Sequence, residues 1–184
     1  MERESFSPKP ASRAIVALAL SKAARRGFFM EKASELGADE VWIWQAERSQ
    51  GKLSPGLGES LRGQLIAGMK QSRNPWLPGL RLLGGASEAA AEAASADIRI
   101  LPWEEIGGAP MLPLERLGLP GLTVFAIGPE GGFAEGELAA FRASGFAFAS
   151  LGDRVLRCET AASLCLGLHW WAAQAREKRG QAAP

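Results

Sequence analysis

Two short stretches near the C-terminus hold the residues best suited to chemistry. The first reads Ala126-Ile127-Gly128-Pro129-Glu130-Gly131-Gly132-Phe133, and the second runs from Ser150-Leu151-Gly152-Asp153-Arg154 through Val155-Leu156-Arg157-Cys158 to Glu159-Thr160-Ala161-Ala162. Glycines at 128, 131 and 132 let a ligand approach the backbone closely. A helix following them would aim its N-terminal amides at a carboxylate or phosphate. In the second stretch Val155 and Leu156 could sandwich a flat heterocycle, while Arg154 and Arg157 grip a phosphate or a base carbonyl. The plainer interpretation of the pair is a turn and an N-capped helix, with Glu159 at the positive helix end. Neither GxxxxGK[ST] nor GxGxxG occurs, so the nucleoside triphosphate and dinucleotide fingerprints are excluded. The single histidine, His169, rules out a Ser-His-Asp triad or a His-rich metal centre, and no metal is expected. It reads as a helix residue in a half-buried aromatic patch beside Trp170 and Trp171.

The elements that must position these loops alternate. Continuous apolar runs mark strands over 14–20, 40–45, 80–83, 97–101, 122–127 and 147–151. Helical patterns fall between and after them, over 26–36, 59–71, 87–94, 135–144 and 160–178. Strand–helix alternation with runs apolar on both faces implies an α/β fold, a mostly parallel sheet covered by helices on both faces. Ligands bind such sheets beyond the C-terminal ends of the strands, where both loops lie. Gly37 and Gly145 suit helix C-caps. Residues 102–121, with four prolines and four glycines, read as a long loop of the functional or mobile kind. Residues 1–13 read as a flexible arm, and 14–184 as one domain.

With 184 residues, 47% of them hydrophobic and 22% charged, the chain can bury a core as a soluble globular protein. No apolar run reaches the ~18 residues of a membrane span. The mixed charge of Met1-Glu2-Arg3-Glu4, with Pro8 and Pro10 after it, is unlike a secretory signal. Cys158 and Cys165 fall on one expected helix, which excludes a disulfide framework and fits a cytoplasmic location. Net charge is +1 but uneven. Residues 48–81 carry Arg48, Lys52, Arg62, Lys70, Arg73 and Arg81 against Glu59 alone, a hint of a polyanion on one face or simply a solvated helix face.

Taken together, Ile-Gly-Pro-Glu-Gly-Gly-Phe and Ser-Leu-Gly-x-Arg-x-Leu-Arg-x-Glu-Thr-Ala resemble the 16S ribosomal RNA uracil-N3 methyltransferases, of the SPOUT class. Met30-Glu31-Lys32-Ala33-Ser34-Glu35-Leu36-Gly37 is similar to that family's Lys-Ala-Thr-Glu-Leu-Gly helix end. Glu47-Arg48-Ser49 is similar to its Glu-Arg-Ser, and Gln71-Ser72-Arg73 to its Gln-Ser-Gly-Arg. The resemblance spans residues 22–174. It implies a C-terminal deep trefoil knot, an exception to the rule that chains avoid knots. It also implies a homodimer, with Leu164, Leu168, Trp171 and Ala175 as the stripe buried by the last helix. The cofactor it implies is S-adenosylmethionine, held in three knot loops by Leu101, Ile127, Gly128, Gly131, Gly132, Leu151, Gly152, Val155 and Leu156.

The resemblance further implies methyl transfer to N3 of a uridine in 16S ribosomal RNA, alone or in the small subunit. N3 belongs to a weakly acidic imide that must lose its proton, and a nearby cation lowers that cost. Arg157 is the first candidate and Arg154 the second, while Glu130 orients the base or its arginine. Glu159 and solvent both stand as the general base. Lys32, Arg48, Lys70, Gln71, Ser72 and Arg73 would contact RNA phosphates.

The sequence also departs from the family. Only residues 1–13 precede the first expected strand, too few for the family's PUA-type RNA-binding barrel. Cys158 replaces a common Thr, and no glycine follows Gln71-Ser72. The missing barrel keeps two alternatives open: a catalytically idle knotted RNA-binding or assembly module, and methylation of a different RNA.

Overall fold

In the computed structural model, which describes residues 7–103 and 108–181, six strands form one all-parallel sheet. They are β1 (Ser12–Ala19), β2 (Glu40–Trp44), β3 (Gly79–Leu83), β4 (Ile98–Pro102), β5 (Gly121–Ile127) and β6 (Ala147–Ala149), in the order β3-β2-β1-β5-β4-β6. The helices are α1 (Ala23–Glu35), α2 (Leu57–Ser72), α3 (Ala86–Glu92), α4 (Glu135–Ala143) and α5 (Cys158–Gln181). Every expected strand and helix is present, with ends that differ by a few residues.

Two-sided burial of β1 explains its unbroken apolar run. Ala14, Val16 and Leu18 face one core with Phe29 and Met30 of α1, Leu61 and Leu65 of α2, and Cys165 and Leu166 of α5. Ile15, Ala17 and Ala19 face a second core with Ala89 and Ala90 of α3 and Phe141 of α4. The chain runs outward from β1 to β2 and β3, then returns to lay β4 on the far side of a gap. β5 fills that gap, in register with β1 from Ser12 opposite Gly121 to Leu18 opposite Ile127. All strands are parallel, so their C-terminal ends, and the loops that follow, share one edge of the sheet.

The structure adds detail to several expectations. β1 opens at Ser12 rather than residue 14, because Ser12 and Arg13 pair with Gly121 and Leu122. Part of the segment read as an arm is also held: Lys9 pairs with Asp39, and the Ser7 carbonyl accepts the Trp76 indole N–H at 3.0 Å. The long loop before β5 is pinned in its described part. Met111 bridges to Ser150, Leu112 and Leu117 are buried, and Arg176 donates to the carbonyls of Glu115 and Leu117. On α5, the face packed on the sheet carries Ala162, Cys165, Leu166, His169 and Ala173, and Leu164 and Trp171 of the stripe expected at a homodimer contact are exposed in the single chain. The helix turns its small residues to the sheet, where they allow close approach. Finally, Arg73 caps α2 in the left-handed region (φ 57°), the position where the related pattern has glycine.

His169 is fully rather than half buried, edge-on to Phe125 with its Nε2 2.9 Å from Ser12 Oγ. Burial pushes its pKa down from 6.5 to about 4. Between those values the unfolded chain binds a proton that the folded chain excludes. The stabilisation is therefore complete above pH 6.5 and lost as pH falls toward 4, roughly 2–3 kcal/mol in all. Urea midpoints of wild type measured from pH 7 to pH 4 should show this slope, and His169→Gln should flatten it.

Candidate functional site

The loops after β1, β4, β5 and β6 enclose a cleft of about 250 Å³ at the C-terminal edge of the sheet, joined to a smaller recess of about 50 Å³. The floor comes from the loop after β5. Phe133 stacks on Trp44 at 6.0 Å and meets Phe141 edge-on, which anchors that loop in the second core. Gly128 is required beneath it, since a Cβ there would lie 2.6 Å from the Phe133 ring. Gly132 turns through a left-handed φ of 74° with open space beside it.

The loop after β2 braces this floor. Arg48 donates to the Gly131 carbonyl at 3.3 Å, and a Cβ on Gly131 would meet Arg48 Cβ at 3.0 Å. Glu137 of α4 accepts the backbone N–H of Glu47 through one oxygen and that of Ala134 through the other, both at 2.8 Å. Arg48 thus supports the glycine loop through its guanidinium, and Gly131 faces Arg48 instead of lining the cleft.

The expected cofactor residues divide accordingly. Ile127, Gly128, Gly132, Val155 and Leu156 line the main cleft, and Leu151 and Gly152 line the recess. Leu101 lies wholly buried in the second core, and Pro102 and Trp103 form that wall in its place. Arg157 opens onto the cleft and Arg154 onto the recess, both exposed to solvent.

The electrostatic centre is a residue that the sequence reading missed. Arg25, in the first turn of α1, donates to Glu130 Oε1 at 2.7 Å, and its Nε lies 3.9 Å from Glu159 Oε1. All three side chains are largely buried, and Glu130 Oε2 has no partner. The available signal was Arg25-Arg26 just beyond the first expected strand, at the edge where ligands bind. Cys158 opens α5 on the cleft wall and donates its thiol to Glu159 Oε2 at 3.3 Å. Burial first, then that hydrogen bond and the charges of Glu130 and Glu159, push its pKa up to about 12.

The basic residues proposed from sequence for a polyanion do not gather here. Lys32 pairs with Glu35 at 2.8 Å on the later half of α1. Lys70, Gln71 and Arg73 are exposed at the end of α2, where Ser72 donates to the Gly68 carbonyl. Glu35 and Ser72 border the groove beside Ser12 and His169, at the N-terminal pole of the sheet. A 16-residue helix, roughly 24 Å long, separates that pole from the cleft. Among the described residues no cluster of His, Cys, Asp and Glu could hold a metal ion, and no helix is long and apolar enough to cross a membrane.

Residues 7–170 match the RNA methyltransferase domain family. A relative named ribosomal RNA small subunit methyltransferase E, from Mesomycoplasma hyopneumoniae, is 28% identical over 169 residues, which cover 90% of this chain and 73% of that protein. The protein of the same name from Mycobacterium bovis is 31% identical over 160 residues, 83% of this chain and 60% of its own length. The crystal structure of ribosomal RNA small subunit methyltransferase E from Neisseria gonorrhoeae, bound to S-adenosyl methionine, superposes with a TM-score of 0.76 at 26% identity. That match covers 84% of this chain and 64% of the other. The chain thus spans less than two thirds of the length of the last two.

The raised pKa of Cys158, and that of Cys165, pushed to about 12 mainly by burial, keep both thiols protonated through the neutral range. A thiol-reactive disulfide reagent at pH 8 should leave the native protein unlabelled over minutes. The same reagent in guanidinium chloride should titrate both cysteines at once, and fast labelling of the native chain would contradict the burial.

Proposed function

The chain belongs to the RNA methyltransferase domain family, and on that premise we propose that it transfers a methyl group from S-adenosylmethionine to N3 of a uridine in 16S ribosomal RNA. The observation that carries the reading is the convergence of the loops after β4, β5 and β6 on one cleft. We read residues 14–184 as a single SPOUT methyltransferase domain with a deep trefoil knot. The strand order supports this, because β5 enters between two strands already laid and β6 then pairs beyond β4.

The residues present fit the cofactor. Open space beside Gly132 and Gly152 lets a ligand approach the backbone there closely, and Ile127, Leu156 and Trp103 offer apolar faces to a purine ring. When bound, S-adenosylmethionine supplies a methyl group on a sulfonium centre. The protein's own share is alignment and charge. Arg157, free of ion pairs among the described residues, is the cation that steadies the uracil as its imide ionises, and Arg154 assists from the recess. Arg48 holds the glycine loop in place. Lys32, Lys70, Gln71, Ser72 and Arg73 meet RNA at the other pole, a separation that a folded ribosomal target spans.

Calorimetry should show S-adenosylmethionine binding to the purified protein; no heat with either the cofactor or its demethylated product would sink the reading. Single-turnover methylation of small subunits should yield N3-methyluridine. Arg157→Ala should lower that rate by about 10²-fold or more with cofactor affinity nearly unchanged, and Lys should rescue poorly because it lacks the planar donor fork. Lys70→Ala with Arg73→Ala should weaken RNA binding and flatten its salt dependence instead. Wild type that binds cofactor and RNA yet methylates neither subunits nor free RNA would favour the idle module.

The exposed face of α5 supports a homodimer. Leu164, Trp170 and Trp171 are 37%, 41% and 66% exposed on one helix, a large apolar surface for a monomer. Light scattering at micromolar concentration should give twice the chain mass, and a monomer there would refute the dimer.

A further inference from the structure

We propose that Glu130 is the general base of the reaction, accepting the N3 proton of the target uridine on its Oε2, and that Arg25 is the residue that positions it. The inference rests on the uridine-N3 reading above. Its ground is a local charge imbalance around Arg25, since Arg157 on the same cleft makes no ion pair with either acid. Arg25 is the one guanidinium shared by two largely buried carboxylates, bonded to Glu130 at 2.7 Å and 3.9 Å from Glu159. One cation between two such acids leaves a negative charge over, which burial makes costly.

The spare acceptor is specific. Glu130 Oε1 is taken by Arg25, whereas Glu130 Oε2 is buried with no hydrogen-bond partner. Glu159 is placed differently: its oxygens lie toward Arg25 and the Cys158 thiol, beneath the cleft wall. Glu130 itself lines the cleft, as do Pro129 and Arg157. A buried, unpaired carboxylate oxygen demands a donor, and a rotation of the Glu130 side chain about its Arg25 contact would present Oε2 to the imide N–H of an entering uracil.

The step balances. The N3 proton passes to Glu130 Oε2, and the pair it leaves forms the bond to the methyl carbon. The carbon–sulfur bond breaks with its pair kept by sulfur. Proton uptake discharges the excess negative charge between Glu130 and Glu159, and solvent removes the proton once product departs. Arg25 fixes which oxygen faces the base without touching the reacting atoms.

The test is the pH profile of single-turnover methylation, with product nucleosides identified by mass and cofactor affinity measured by calorimetry in parallel. Wild type should hold a flat rate from neutral to mildly alkaline pH. Glu130→Gln should bind S-adenosylmethionine normally yet react about 10²–10³-fold more slowly at neutral pH. Its rate should climb tenfold per pH unit, because only spontaneously ionised imide then reacts. RNA carrying 5-fluorouridine at the target, whose fluorine makes N3 more acidic, should restore most of the loss in Glu130→Gln and change wild type little. Arg25→Gln should slow the reaction while keeping the flat profile. Glu130→Gln with wild-type rate and profile would overturn the assignment alone. A wild-type product other than N3-methyluridine would instead bring down the functional reading, and this inference with it.

Discussion

Everything in this molecule hangs on the entry of β5 between β1 and β4. Its seven residues pair with β1 along their whole length and with β4 on the other edge. That single insertion closes the sheet, divides the apolar residues into two cores and places Ile127 at the edge from which the glycine loop departs. Parallel strands buried on both faces have no tolerance for a register slip, because each shift by one residue exchanges the two cores. The position of Gly128, Glu130 and Phe133 follows from that register.

The alternation of strands and helices was written in the apolar runs, and the structure retains all of them. Which loops form the cleft was also readable, since it follows from parallel strands alone. The side chains within it were harder. Leu101 and Gly131 carry the right residue types but face the second core and Arg48. Leu101 lies inside β4, and which of a strand's two faces meets the cleft depends on a register that local sequence does not give. Arg25 was invisible for another reason: its partners lie 105 and 134 residues away, and a pattern scan sees spacing, not space.

The fold divides the charge runs as well. Arg48 and Arg73 belong to one basic stretch, yet α2 carries them to opposite poles of the sheet. Arg48 serves the backbone of its neighbour, and Arg73 occupies a left-handed cap that glycine fills more easily. The Glu-Arg-Ser stretch therefore has a purpose that composition could not reveal. It forms the brace that, with Glu137, holds the glycine loop from behind.

The last helix links two regions otherwise remote. Its first turn, at Cys158 and Ala161, is a wall of the cleft, and Trp170 and Trp171 stand exposed three turns further on. A continuous helix of 24 residues, roughly 36 Å long, behaves as a stiff rod rather than a hinge. Because Ala162, Cys165 and Leu166 seat that rod in the first core, the cleft wall and the tryptophan surface are held at a fixed spacing along one axis.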